Sequence, residues 1–146
     1  MREEWIDVPE QVILIPGGIM PGELSYAALI KELTDERVIV KDHELYASDA
    51  PPAGWSIRTE TAAILRAADA AGFDRFHVVG YSGGGSIAIV LAAQAPTRVR
   101  SLALVEPAWI GGTDVTPEEI ASFERDRAMV RLPDKEMLEA FFGGSG

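Results

Sequence analysis

The sequence has 146 residues, of which 47% are hydrophobic and 25% charged, a balance typical of one globular domain with an apolar core. Its net charge of −10 argues against a nucleic-acid partner, because binding to a phosphate backbone depends on clustered Lys and Arg. The absence of cysteine excludes disulfides and a thiol nucleophile, and no window is apolar enough for a membrane span or a standard signal peptide. We therefore expect a cytoplasmic protein without a membrane partner.

The first part of the chain predicts one strand–helix–strand unit. Residues 5–8 favour a short edge strand, and Gln11–Ile15 is a continuous apolar run of the kind found in buried parallel strands. A proline and two glycines end that run. Apolar residues at helical spacing follow over 24–33, and residues 38–40 predict the next strand.

The alternation of helices and strands continues after an irregular loop. Ser56 is a typical N-cap for a helix that ends near Gly72. A strand is predicted over 76–79, a helix over 86–95 and a further strand over 101–105. This order indicates an α/β fold with a mostly parallel sheet covered by helices on both faces. Functional side chains are then expected beyond the carboxyl ends of the strands.

The glycine-rich motif at 80–84 carries the strongest chemical signal. It reads Gly-Tyr-Ser-Gly-Gly and matches the G-x-S-x-G nucleophile elbow, in the predicted strand-to-helix turn that this motif requires. Such a turn exposes the hydroxyl of Ser82, and small neighbours let the two backbones approach. The alternatives are a plain glycine turn or a phosphate cradle at a helix N-terminus, although a G-K-[ST] partner for phosphate is missing.

Three segments together resemble the α/β-hydrolase family: 14–18, 80–86 and 102–108. The resemblance implies a hydrolase core of about five strands over residues 1–112, incomplete by the family's standard. It also implies that residues 113–146 begin a helical cap or lid. By this resemblance the missing strands, with a catalytic histidine and an acid, belong to sequence beyond Gly146.

The resemblance implies serine-dependent hydrolysis of a small-molecule ester, thioester or similar acyl bond, without a cofactor. Ser82 is then the nucleophile. The oxyanion would be held by the backbone N–H of Gly83 and by that of Gly18, with Ile19 as the alternative to Gly18. No His, Asp and Glu cluster has metal-ligand spacing, so no metal is expected. The alternative function is a truncated or degenerate hydrolase that binds a small apolar ligand without turnover.

The acid and base of a triad are less clearly marked. Glu106 ends the strand over 101–105 at the same edge as Ser82, so it is either the triad acid or a carboxylate that only caps a loop. The family's histidine follows the serine, and here both histidines precede it. We interpret His77 as structural and His43 as a loop or pocket residue, with a role as base the alternative. The 146-residue chain alone is therefore expected to be inactive.

The strand over 101–105 raises a separate expectation. The resemblance implies that it is an interior strand of the complete sheet, and its apolar sequence has no proline, lysine or bulge that would protect an open edge. We therefore expect self-association through this edge.

Overall fold

The computed structural model describes residues 8–18 and 20–108, and beyond them residues 117, 118, 121 and 125. Within these residues the fold is one parallel sheet with helices. The four strands are β1 (Gln11–Ile15), β2 (Arg37–Val40), β3 (Phe76–Tyr81) and β4 (Val99–Val105). The helices are α1 (Gly22–Ser25), α2 (Ala27–Glu32), α3 (Ile57–Ala70) and α4 (Gly83–Gln94), with a 3₁₀ turn over Glu44–Tyr46.

The strand order is β2-β1-β3-β4, and every neighbouring pair is parallel. In the β1–β3 pair Ile15 lies opposite Gly80, so the two strands end at the same level. This register brings the segments after β1 and after β3 together at one edge of the sheet. Crossover connections between parallel strands place helices on the sheet faces, as the sequence pattern predicts.

The core lies on both faces of β1, because side chains alternate along a strand. Ile13 and Ile15 belong to the larger cluster, which includes Ile64 of α3 and Leu91 of α4. Val12 and Leu14 face the opposite way and pack in a second cluster with Tyr26. Burial on both faces explains the unbroken apolar run that predicts this strand.

The strands predicted over 11–15, 38–40, 76–79 and 101–105 and the helices predicted after Ser56 and after the elbow are confirmed, with shifts at their ends. β1 has the predicted bounds, whereas α4 begins at Gly83, three residues earlier than predicted, because its glycines belong to the first helical turn. The helix predicted over 24–33 is instead two short helices, α1 and α2, that meet at Tyr26 (φ −108°, ψ 13°). Tyr26 is buried and its hydroxyl bonds to the backbone of β1, so a tertiary contact coincides with the helix break.

Two predictions fall largely outside the described residues. Residues 5–7 of the predicted edge strand lie outside the described residues, and Val8 is not in a strand. The described sheet therefore has four strands, where the sequence predicts about five. Of the predicted cap over 113–146, the structure describes only four residues, all helical. No helix in the described part of the chain is long and apolar enough to cross a membrane.

Candidate active site

Ser82 lies in a sharp turn between the end of β3 and the start of α4. Its backbone has φ 49° and ψ −119°, a left-handed conformation that costs a non-glycine residue about 1–3 kcal/mol. This confirms the strained turn that the motif predicts at the N-terminus of α4. Glycine is required nearby: a Cβ on Gly80 would lie 2.6 Å from the carbonyl oxygen of Gly84.

The strained backbone of Ser82 is held by hydrogen bonds from two directions. Its N–H donates to the carbonyl oxygen of Val105 at 3.0 Å, and its carbonyl oxygen accepts the N–H of Ala108, also at 3.0 Å. The N–H of Gly85 donates to the same oxygen at 2.9 Å. The last residue of β4 and the segment after it therefore fix the backbone of Ser82.

The glycine turn, defined as Gly17 and Gly18, lies against this elbow. A Cβ on Gly17 would lie 3.4 Å from the Cβ of Ser82, and a Cβ on Gly83 would lie 4.0 Å from the backbone nitrogen of Gly18. The structure thus brings together Gly18, Ser82 and Gly83, which the sequence places on two distant segments. Ile19, the alternative to Gly18, lies outside the described residues.

Glu106 follows β4 at the same edge of the sheet as Ser82. It is exposed and has φ 43°, so this residue also occupies the left-handed region that favours glycine. The residue before it, Val105, accepts the hydrogen bond from Ser82. Glu106 therefore begins the turn that braces the elbow.

The two histidines occupy opposite ends of the sheet. His43 is only 7% exposed, and its Nε2 donates to the carbonyl oxygen of Pro16 at 2.7 Å, since a carbonyl can only accept. Its Cε1 would lie 3.7 Å from a Cβ on Gly83. His77, at the start of β3, instead contacts Ser101 Oγ at 2.7 Å and Glu10 Oε2 at 3.3 Å.

Two residues near the site were not found from the sequence. Tyr26 donates its hydroxyl to the carbonyl oxygen of Ile15 at 2.8 Å. Burial raises the pKa of the Tyr26 phenol above 10.0, and a hydrogen bond from the backbone of Tyr81 partly offsets this rise. A tyrosine among apolar residues at helical spacing was the available signal, but it resembles an ordinary core position.

Glu60 is the second such residue. This carboxylate is 2% exposed and accepts three hydrogen bonds: from Glu44 N–H at 2.7 Å, Leu45 N–H at 2.9 Å and Trp55 Nε1 at 2.6 Å. It anchors the 3₁₀ turn that follows His43. The signal was a carboxylate on the apolar face of α3, one turn from Ile57 and Ile64.

A cavity of about 240 Å³ opens between the glycine turn and the segment over 41–47. Its lining includes Gly18, Asp42, His43 and Tyr46. Its volume is slightly below the range of about 300–1,000 Å³ that is typical of ligand pockets. Among the residues that the structure describes, no group of three His, Cys, Asp or Glu side chains could hold a metal ion.

Comparison with known proteins gives a consistent family. Residues 11–142 match the model of the α/β hydrolase fold family. The chain is 28% identical over 105 residues to a putative carbamate hydrolase, RutD, of Caulobacter segnis. It is 32% identical over 109 residues to the RutD of Klebsiella pneumoniae. Among solved structures, Est816, described as an N-acyl homoserine lactone degrading enzyme, superposes with a TM-score of 0.65 and 27% identity.

The matches cover most of this chain but less than half of each similar protein. The alignments cover 69% and 73% of this chain but only 39% and 40% of the two carbamate hydrolases. The superposition covers 84% of this chain and 48% of Est816. The chain thus spans about two fifths of the length of these curated relatives.

Proposed function

The chain belongs to the α/β hydrolase fold family, and from that premise we propose that it is a serine-dependent hydrolase. Ser82 Oγ attacks the carbonyl carbon of an ester, thioester or similar acyl bond. The Ser82 proton passes to a base, the carbonyl oxygen becomes an oxyanion, and collapse of the tetrahedral adduct expels the leaving group. Water then hydrolyses the acyl-serine.

The observation that carries this proposal is the backbone of Ser82. A serine with φ 49° between a strand and a helix is costly unless something requires it, and aiming a nucleophile out of the sheet is such a requirement. The glycine turn lies at the same edge. A Cβ on Gly17 would be 3.4 Å from the Cβ of Ser82, and a Cβ on Gly83 would be 4.0 Å from the backbone nitrogen of Gly18. This supports Gly83 and Gly18 as oxyanion donors, with Ile19 the alternative to Gly18.

Glu106 is our candidate for the triad acid, since it follows β4 at the edge that carries Ser82. The base is a histidine in this chemistry. The nearer histidine, His43, uses Nε2 as a donor to Pro16, which leaves that nitrogen without a lone pair to accept the Ser82 proton. We therefore propose that the 146-residue chain by itself turns over little ester, keeping only the oxyanion and binding contributions.

The proposed substrates are small molecules with an acyl bond. This proposal is supported by the names of similar proteins, two putative carbamate hydrolases and an N-acyl homoserine lactone degrading enzyme, since carbamates and lactones contain bonds of this general type. The cavity of about 240 Å³ beside the glycine turn would accept a short acyl or leaving group more readily than a long chain. The absence of cysteine supports a cytoplasmic location.

Single acylation of Ser82 tests the proposed function. The chain is incubated with p-nitrophenyl acetate and its intact mass is followed over hours, because a serine that lacks its base still attacks activated esters slowly. We expect a gain of one acetyl group that Ser82→Ala abolishes. The matched control is Ser86→Ala, which removes a buried hydroxyl of the same helix and should leave acylation unchanged. Equal acylation of Ser82→Ala and wild type would refute the proposal.

The alternative function is a hydrolase fold that binds a small apolar ligand without turnover. It is favoured by the engagement of His43 with backbone and by the distance of His77 from the elbow. Saturable binding of a small apolar probe, combined with no acylation at Ser82, would support this alternative.

We also propose self-association through β4. In the described part of the chain β4 is one of the two edge strands, and its Leu104 and Val105 are 39% and 48% exposed. An unprotected apolar edge recruits another strand, and the proposed occupant is β4 of a second copy. Sedimentation across a concentration series should show a dimer or larger species that Leu104→Lys weakens. A monomer at every concentration would contradict this proposal.

A further inference from the structure

Two consecutive carbonyls at the end of β1 are each held by a buried side chain from another element. The carbonyl oxygen of Ile15 accepts the hydroxyl of Tyr26 at 2.8 Å. The next carbonyl oxygen, that of Pro16, accepts Nε2–H of His43 at 2.7 Å. Tyr26 and His43 are 8% and 7% exposed. These bonds hold the two residues that immediately precede the glycine turn.

Both carbonyls point into a tightly packed junction. A Cβ on Gly84, in the first turn of α4, would lie 2.3 Å from the oxygen of Ile15 and 2.4 Å from that of Pro16. The junction is therefore closed by backbone on the side of the elbow. Buried carbonyls need hydrogen-bond donors, and Tyr26 and His43 supply them here.

A hydrogen bond to a carbonyl oxygen also fixes the direction of the N–H in the same peptide group. The peptide group is planar and trans, so the hydrogen bond to the Pro16 oxygen fixes the direction of the Gly17 N–H, one peptide before the proposed donor at Gly18. Tyr81, the residue before Ser82, lies against the glycine turn, since a Cβ on Gly17 would lie 3.1 Å from Tyr81 Cδ1. The start of the turn therefore packs directly against the strand that carries the elbow.

We propose that Tyr26 and His43 are positioning residues that set the orientation of the glycine turn relative to Ser82. This inference rests on the proposed function, because it assumes that the turn supplies an oxyanion donor. Neither side chain is required to touch the substrate. The His43 bond needs only a hydrogen on Nε2, which both the cation and one neutral tautomer carry, so no pH switch is implied.

The test compares an oxygen ester with its sulfur analogue. Acylation of Ser82 is measured by intact mass with p-nitrophenyl acetate and with p-nitrophenyl thionoacetate, in which sulfur replaces the carbonyl oxygen. Sulfur is a weak hydrogen-bond acceptor. If the oxyanion hole is formed, the ratio of the oxygen-ester rate to the thionoester rate should therefore be higher for acylation of Ser82 than for hydroxide in solution. A variant that only lowers the folded fraction slows both reactions by the same factor and leaves this ratio unchanged.

The variants are Tyr26→Phe, His43→Leu and His43→Gln. We expect the first two to slow acylation by the oxygen ester about tenfold and to lower the oxygen-to-sulfur preference. His43→Gln places an amide N–H near the position of Nε2 and should restore most of the wild-type preference. His77→Leu, a histidine change at the opposite end of β3, is the matched control and should leave the preference unchanged.

A second readout needs no reaction. In wild type the amide resonances of Gly17 and Gly18 should be narrow, whereas Tyr26→Phe and His43→Leu should broaden them through microsecond-to-millisecond exchange and leave the amides of β2 unaffected. Different results would contradict the two proposals. If the wild type is not acylated at Ser82, the proposed function is wrong. Variants that keep both the wild-type preference and narrow glycine amides would overturn the positioning inference.

Discussion

The two ends of the sheet each carry one histidine, and the two histidines are held in different ways. At the carboxyl end His43 is 7% exposed and bonds to a backbone carbonyl. At the amino end the side chain of His77 is 30% exposed and shares the Glu10 carboxylate with Arg100. The first kind of contact is buried and fixes the backbone, whereas the second joins solvated side chains. The difference indicates that substitutions at the carboxyl end should cost far more.

Gly84→Ala should give the largest effect. Its Cβ would lie 2.3 Å from the backbone oxygen of Ile15, and backbone cannot rotate away as a side chain can. We expect a loss of about 4 kcal/mol in the free energy of unfolding, or no folded protein. Urea titration measures this loss.

The matched control for Gly84→Ala is Gly83→Ala, one residue earlier in the same helix. Its Cβ would meet nothing nearer than His43 Cε1 at 3.7 Å, an ordinary contact, and alanine favours helix over glycine. Unfolding free energies that fall equally in the two variants would contradict the close approach of α4 to β1.

Glu60→Ala should destabilise the protein by about 3 kcal/mol, because it leaves three donors without their acceptor. These donors are the N–H groups of Glu44 and Leu45 and the indole of Trp55. The control is Glu32→Ala, on the exposed surface of α2, where we expect a change within about 0.5 kcal/mol. Similar thermal midpoints for both variants would show that Glu60 does not anchor the segment after His43.

Tyr26→Phe should cost about 1–2 kcal/mol near neutral pH, since the carbonyl of Ile15 loses a buried donor. The cost should also depend on pH. Burial raises the pKa of folded Tyr26 above 10.0, so the folded state retains this proton more firmly than the unfolded chain. Wild-type stability is therefore fully present below about pH 10 and decreases as pH rises through the folded pKa.

Guanidinium titrations of wild type and Tyr26→Phe between pH 8 and 11 test this sign. The difference in unfolding free energy between them should be constant at the lower pH values and shrink above about pH 10. Groups common to both proteins cancel in that difference. A gap that widens with pH would contradict burial of the neutral phenol.

Glu106→Gly should stabilise the protein by about 0.5–1 kcal/mol, because glycine adopts a positive φ without steric cost. Glu106 has φ 43°. Glu106→Ala keeps that strain and should give no gain, which makes it the matched control in a thermal melt. If the glycine variant is no more stable than the alanine variant, the turn after β4 is not strained as described.

His77→Ala should have the smallest effect, about 0.5 kcal/mol or less, because contacts between solvated side chains contribute little. Its partners are Ser101 and the Glu10 carboxylate. The same chemical denaturation series measures it, with His43→Ala as the comparison at the other end. Equal losses of unfolding free energy in the two histidine variants would contradict the proposed difference between the two ends of the sheet.

The sequence predicted features that depend on neighbouring residues. The apolar run of β1 and the positive φ of Ser82 follow from local pattern and from a short motif. The strand-to-helix turn could be placed because glycines at fixed offsets have a steric reason. These features need no knowledge of distant contacts.

The sequence did not predict the buried hydrogen bonds behind the site. Tyr26 and His43 reach acceptors 11 and 27 residues away along the chain, and no local pattern encodes which carbonyl a side chain will meet. Tyr26 instead looked like one position of a continuous helix over 24–33, which tertiary contact divides in two. The strain at Ser82 was predictable from the motif, whereas the strain at Glu106 and the side chains that hold the surroundings of the elbow were not.

The role of Ser82 as the nucleophile is tested by locating covalent modification by an alkyl fluorophosphonate, which reacts with nucleophilic serines. After prolonged incubation the chain is digested and every serine-containing peptide is quantified by mass spectrometry. We expect the phosphonyl group on Ser82, in the turn between β3 and α4, and we expect Ser82→Ala to remove it. Modification spread evenly over exposed serines such as Ser48, with none enriched at Ser82, would contradict this role.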